Sequence, residues 1–206
     1  MRILIHPTYF GSIEQFVAIA KSDEMVFEVQ DNYQKQTYRN RMYIYGANGK
    51  LLLNIPIKHN SGKGRQKYRD VKIENDFPWQ KEHFKSLESA YRTSPFFEFY
   101  EDEIAPLYQK KQHFLMDFNF ECFNLITDLL PLKADVSKTV SYEKEVSDSM
   151  DYRHLVNAKK ETAQGLTKYT QVFEGKYQFI PNLSILDLLF NEGPNALTYL
   201  EAQDVL

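Results

Sequence analysis

The chain has 206 residues, 25 lysines and arginines against 28 acids, a net charge of -3 and one cysteine, Cys122. Such a length buries roughly 70% of the surface that the unfolded chain exposes, so no disulfide or metal is needed for folding. One thiol excludes an internal disulfide and a multi-cysteine zinc cage. The opening Met1-Arg2-Ile3-Leu4-Ile5-His6-Pro7 holds too short an apolar run for a signal peptide. No stretch approaches the ~20 apolar residues of a membrane span, and a cytoplasmic protein is expected.

Arg2 to Ile5 reads as a buried strand, Ile13 to Ala20 as a helix with Ile13, Phe16, Val17 and Ala20 at helical spacing, and Glu24 to Val29 as a second strand. This order predicts a βαβ opening. Its first loop, His6-Pro7-Thr8-Tyr9-Phe10-Gly11-Ser12, would lie at the carboxyl edge of the sheet, where ligands bind. The polar run Asp31 to Arg41 follows. Met42 to Tyr45 and Lys50 to Lys58 then flank a Gly46-Ala47-Asn48-Gly49 hairpin turn, with Leu51 to Ile57 expected as a well-buried strand.

Asn60 to Arg69 holds two glycines and four bases with almost nothing apolar, a mobile basic loop, and Asp70 to Ile73 reads as a short strand. Asp76-Phe77-Pro78 is a helix start, with Trp79, His83, Leu87 and Ala90 on one face and Lys81, Lys85, Glu88 and Arg92 on another. Ser94-Pro95 ends that helix. A longer one is expected from Lys111 to Leu130, its apolar face holding Leu115, Phe118, Cys122, Leu125, Ile126 and Leu129. Strands near Thr139 to Val146 and Tyr169 to Phe173 are expected, separated by a loop with some helix through Asp151 and Gly165. Leu183 to Asn191 and Pro194 to Ala202 close the chain as helices separated by Glu192-Gly193. The fold class is mixed α/β, a βαβ opening with a central mixed sheet and a helical C-terminal half, in one domain spanning residues 1–206.

Charge is unevenly spread. Between Asp31 and Lys72 ten lysines or arginines face two acids, a local balance of +8, which leaves -11 on the rest. Such asymmetry marks a field that attracts an anionic partner. The centre of interest is Asp31-Asn32-Tyr33-Gln34-Lys35-Gln36-Thr37-Tyr38-Arg39-Asn40-Arg41. On an extended strand Arg39 and Arg41 share one face and suit a bidentate clamp on phosphate or carboxylate, while Tyr33 and Tyr38 could stack on a sugar or base. His6 heads a loop at a strand end, where a near-neutral imidazole suits acid–base work. His83 shares the Trp79 face. The metal, dinucleotide, P-loop and serine-hydrolase signatures are missing, so no metal or cofactor is expected. Cys122, on an apolar face, is no nucleophile.

Several segments occur together and in order: Ile5-His6-Pro7-Thr8-Tyr9-Phe10, Tyr33-Gln34-Lys35 with Arg39-Asn40-Arg41, Asn54-Ile55-Pro56-Ile57-Lys58, Trp79-Gln80-Lys81-Glu82-His83-Phe84, Tyr91 to Phe97 and Leu183 to Pro194. That set resembles the WbqC-like family, and the match spans most of the chain. The resemblance implies bacterial surface-polysaccharide (O-antigen) assembly, in a family largely uncharacterised biochemically. It adds Asn182, Asp187, Asn191 and Glu192 as candidates.

The leading expectation is a transferase, acyl, aminoacyl or glycosyl, acting on a nucleotide-linked amino sugar. His6, Asp31 and Lys35 would move protons. Tyr9, Tyr33, Gln34, Tyr38, Arg39, Asn40, Arg41, Lys58, Lys81 and His83 would bind the ligand, with the phosphates on Arg39, Arg41 and Lys58. The site would be composite, walled by the His6 loop, the Asp31 to Arg41 run and the Trp79 helix. A nucleotidylyltransferase lacks its paired-histidine loop here. A single-stranded nucleic-acid module is opposed by overall acidity, and a scaffold of a polysaccharide-synthesis complex would show an exposed aromatic patch without a pocket.

Overall fold

The apolar run after Arg2 and the helical spacing from Ile13 fold as β1 (Arg2–Ile5) and α1 (Ile13–Ala20), and β2 (Glu24–Phe27) returns parallel to β1 with Ile3 opposite Met25. The computed structural model describes residues 1–59, 62, 64–133, 135–159 and 165–204. The chain continues through β3 (Arg41–Gly46), β4 (Gly49–Asn54), α2 (Trp79–Tyr91), α3 (Phe97–Gln109), α4 (Leu115–Leu129), β5 (Asp135–Lys138) and β6 (Met150–Asp151). It ends with α5 (Glu174–Tyr177), α6 (Ile185–Glu192) and α7 (Ala196–Ala202). Parallel and antiparallel pairings fall in separate sheets: a parallel four-stranded sheet in the order β5-β2-β1-β6, and the β3-β4 hairpin.

Side chains alternate across each strand. Ile3, Ile5, Met25 and Phe27 join the main core, where Phe120 and Phe123 of α4 meet Phe27 edge-on at 5.2 and 4.8 Å. Leu4, Val26 and Glu28 alternate to the opposite face, which the irregular segment 139–149 crosses. At α1 the Ser12 hydroxyl accepts from the Gln15 backbone, capping the helix. The Gln15 amide donates to the His6 carbonyl at 2.8 Å and accepts from Thr8 Oγ1 at 2.6 Å, so the helix itself fixes the loop that follows β1. A Cβ on Gly11 would strike both the Gln15 amide and the Thr8 hydroxyl.

Several expectations are corrected. Helix α3 forms where no helix is expected, and α4 begins at Leu115 rather than Lys111. β4 is not well buried: Leu51 and Leu52 are 40 and 41% exposed, because only Leu53 points into the core. The basic segment is anchored by Tyr68, which is fully buried in a 3-10 turn at Tyr68–Asp70, and Asn60, Ser61 and Lys63 lie outside the described residues. Asp70 to Ile73 makes isolated bridges from Lys72 and Ile73 instead of a strand. α2 starts after Pro78 without a side-chain cap. The strand expected at Thr139 to Val146 lies earlier, as β5, and Tyr169 to Phe173 is irregular. Residues 160–164 of the expected loop also lie outside the described residues.

Candidate functional site

Parallel strands deliver their following residues to one edge of a sheet, and here the residues after all four strands carry polar side chains. His6 follows β1, Glu28 follows β2, Thr139 follows β5, and Arg153 stands two residues beyond β6. This carboxyl edge is where open α/β sheets bind ligands.

His6 is 4% exposed, and Arg39 is fully buried. Nη2 of Arg39 donates to Asp31 Oδ2 at 2.7 Å and lies 2.9 Å from Nε2 and 3.2 Å from Nδ1 of His6. The His6 pKa is pushed well below 6.5 by burial, then by the charge of Arg39, with Arg153 adding to it and a hydrogen bond to the Glu28 backbone opposing it. The ring is therefore neutral and accepts from Arg39. Burial lowers the Arg39 pKa, against the pull of Tyr68 and Asp31. Its guanidinium lies 5.1 Å from the Tyr68 ring centroid, and its Nε and Nη1 have no hydrogen-bond partner among the described residues. Asn119 Nδ2 donates to the Arg39 carbonyl at 2.7 Å and to the Tyr68 hydroxyl, tying α4 to the cluster.

His6, Asp31, Gln34, Arg39, Asp151 and Arg153 line a polar cleft of about 280 Å³. Arg153 grips Asp151 through Nε at 2.9 Å and Nη2 at 2.6 Å, and spends further donors on the Glu143 and Lys144 carbonyls at 2.7 and 3.0 Å. That pairing raises the Arg153 pKa and lowers that of Asp151. Each lysine, arginine or carboxylate side chain that lines the cleft is thus paired within it: Asp31 with Arg39, Asp151 with Arg153.

A second cleft, of about 340 Å³, is lined by Lys35, Lys58 and Arg65, with Tyr33, His59 and Gln66 but, among the described residues, no carboxylate. Tyr33 and Lys35 face this cleft while Gln34 between them lines the first, so residues 33–35 form a ridge with one cleft on each side. Backbone hydrogen bonds from Tyr33 to Gln66 (2.8 Å) and from Tyr68 to Asp31 (3.0 Å) hold the ridge against the basic segment. Burial pushes the Tyr33 phenol up to about 12, against the nearby charges of Arg41 and Arg39.

The remaining predicted residues are dispersed. Tyr9 is fully buried, its hydroxyl bonded to His83 Nδ1 at 2.9 Å and to the Tyr108 hydroxyl at 2.7 Å. Burial lowers the His83 pKa to about 4. The Trp79 helix is therefore packed into the core at this point and walls neither cleft. Tyr38 is 7% exposed and meets Tyr43 edge-on. Asn40 donates to the Asn54 side chain and the Ile55 carbonyl, both at 3.1 Å, fastening the hairpin. Arg41 opens β3, and Lys81 is exposed on α2.

Asp187 is also buried, accepting from Tyr91 Oη at 2.6 Å, Gln171 Nε2 at 2.9 Å and Tyr169; burial raises its pKa. Asn191 and Asn182 bond back to the Asp187 carbonyl (2.7 Å) and the Glu14 carboxylate (3.1 Å). The Asp187 cluster and the Asn182 bond join separate segments, whereas the Asn191 bond stays within α6. Glu28, Asp151 and Arg153 were missed: Glu28 sits just beyond β2 inside a predicted strand, and β6 spans only Met150–Asp151, too short for any periodicity. Among the described residues no cluster of His, Cys, Asp or Glu could hold a metal ion, and no helix is long and apolar enough to cross a membrane.

An α/β protein with a polar cleft at the carboxyl edge of its parallel sheet is the class that fold and site define. The model of the WbqC-like protein family matches residues 6–170 and 159–199, and the chain belongs to that family. It is 28% identical over 229 residues to the uncharacterised protein Rv1507c of Mycobacterium tuberculosis, with 96% of each chain covered. No solved structure matches.

Proposed function

We propose that the protein is a cytoplasmic transferase acting on a nucleotide-linked sugar, an amino sugar included, in bacterial surface-polysaccharide synthesis. The observation that carries this reading is the pair of clefts across residues 33–35, one internally neutralised and one with, among the described residues, three cations and no acid. A nucleotide-linked sugar has the same division, with negative charge on its phosphates and an uncharged array of hydroxyls beside them. Lys35, Lys58 and Arg65 would hold phosphate oxygens, replacing Arg39, whose charge is taken by Asp31. Asp31, His6 and Gln34 would orient the sugar. The setting in polysaccharide synthesis rests on the family resemblance.

The cluster binds and orients better than it moves protons. A proton on His6 would sit buried beside two guanidinium groups, with the Asp31 carboxylate 3.5 Å from Nε2 already paired to Arg39, and a proton on Asp31 would break that pair. Rate enhancement would then come from positioning. That same pairing favours a second reading, a nucleotide-binding module without turnover.

Calorimetry with UDP-glucose and UDP-N-acetylglucosamine, followed by mass spectrometry of overnight incubations with sugar and amine acceptors, separates the two. Binding with a transferred product supports the transferase, and binding without one supports the module. Absence of binding to either nucleotide sugar, unchanged at low salt, sinks both.

A further inference from the structure

On the face of the sheet away from the main core, Leu4 and Val26 floor a cavity of about 210 Å³ beneath segment 139–149. Parallel sheets are ordinarily covered on both faces. Here the covering segment packs poorly, with Val140 91% exposed. The volume falls below the roughly 300–1,000 Å³ of pockets for drug-sized ligands, and suits something the size of a monosaccharide or smaller.

Three of the four hydroxyl side chains that line this cavity have committed their hydrogens. A hydroxyl has one hydrogen to donate. Thr139 gives its hydrogen to Glu28 Oε1 at 3.0 Å, Ser137 to the Met25 carbonyl at 3.4 Å and Ser149 to Asp148 Oδ1 at 3.0 Å. Ser137 and Ser149 keep their lone pairs, and Thr139 keeps one, the other accepting from the Val29 amide at 3.1 Å. Arg2 commits Nη1 to Asp148 at 2.7 Å, while its Nε, 3.2 Å from Glu24, has no hydrogen-bond partner among the described residues. The Lys138 ammonium stands 4.1 Å from the Phe120 ring centroid, on the α4 side of the sheet.

Glu28 is fully buried, and its Oε2 has no hydrogen-bond partner among the described residues. The nearest cation, Arg153 Nη1, stands 3.6 Å away and belongs to a guanidinium already clamped to Asp151. A buried carboxylate oxygen without a donor carries a cost that a donor-rich ligand would relieve.

We propose that this cavity binds the primary ammonium group of a small amine, held by Glu28 and the lone pairs of Ser137, Thr139 and Ser149. An ammonium offers three donors and no acceptor, the complement of the unpartnered Glu28 Oε2 and these hydroxyl oxygens. Glu28 also touches the first cleft through its backbone contact with His6. If the transferase reading holds, the amine is the acceptor; that role rests on it, whereas amine binding does not.

The test is calorimetry of the full chain with glucosamine, ethanolamine and putrescine, and with glucose as the matched sugar without a charge. At least one amine is expected to bind and glucose is not, and the strongest of the three identifies whether the source is an amino sugar, an amino alcohol or a polyamine. Glu28→Gln should weaken that binding tenfold or more. Ser141→Trp, an exposed rim position that fills the cavity without altering buried charge, should do the same with an unchanged thermal midpoint. Binding by none of the amines, equal binding of glucose and glucosamine, or full binding by Ser141→Trp overturns the proposal. Amine binding in a chain that ignores nucleotide sugars would leave this site standing and remove only its role as acceptor.

Discussion

The two clefts beside residues 33–35 draw on the same stretch of sequence and treat charge in opposite ways. In one, Arg39 is buried against Asp31, His6 and Tyr68, and its charge maintains the fold. In the other, Lys35, Lys58 and Arg65 line a cleft without any carboxylate among the described residues. Burying an ion pair costs desolvation that the pair must recover by close geometry, so removing one partner is expensive. A solvated lysine costs little to remove and leaves its charge available to a ligand. Basic residues close in sequence thus divide into structural and ligand-directed cations according to burial alone.

The largest expected effect tests the structural half. Arg39→Ala leaves Asp31 and the Tyr68 face without their cation and should destabilise by about 3–5 kcal/mol in urea denaturation. Lys58→Ala should stay within about 0.5 kcal/mol. Equal stabilities for the two variants would erase the contrast.

The pH dependence sharpens it. Burial holds His6 well below 6.5 and His83 at about 4, so the folded chain binds fewer protons at these sites than the unfolded chain. Stability from these rings is complete above pH 6.5 and is lost as pH falls from 6.5 towards 4, by up to about 1.4 kcal/mol per pH unit for each ring. Denaturation midpoints measured through that window should fall less steeply in His6→Gln than in the parent. An identical slope would mean that His6 is not held neutral.

The ligand-directed half carries smaller effects. Lys58→Ala and Arg65→Ala should each weaken UDP-glucose binding about tenfold, or about 1.4 kcal/mol, with the loss greatest at low salt. Lys81→Ala, on the outer face of α2, should alter both stability and binding by less than about 0.5 kcal/mol.

Elements held together by local pattern were legible in the sequence. The bounds of β1 and α1 follow from their apolar spacing, and the hairpin follows from Asn48-Gly49, where Gly49 adopts φ +97°. The buried face of α2, with Trp79, His83, Leu87 and Ala90, was equally readable. Helix α3 was hidden by Pro106, a residue that forfeits an N–H inside a helix, although Phe97, Tyr100, Ile104 and Leu107 keep helical spacing around it. β5 and β6 depend on docking beside β2 and β1, contacts more than a hundred residues apart in the chain, and no local signal announces them.

The candidate site was half legible for a similar reason. Its residue types stand out, but a sequence does not say which cation meets a carboxylate. Arg39 and Lys58 look equivalent in the chain and differ completely in the fold. Tyr9 and His83 looked like site residues because of their chemistry, and their hydroxyl-to-imidazole bond lies in the core.

Calorimetry of inorganic pyrophosphate and UDP-glucose against Lys58→Ala/Arg65→Ala and Gln34→Ala tests the division of labour most directly. The account predicts that the basic-cleft variant loses affinity for both ligands, while Gln34→Ala loses affinity for UDP-glucose and keeps that for pyrophosphate. Pyrophosphate binding that is indifferent to Lys58 and Arg65, or that falls with Gln34→Ala, would contradict it.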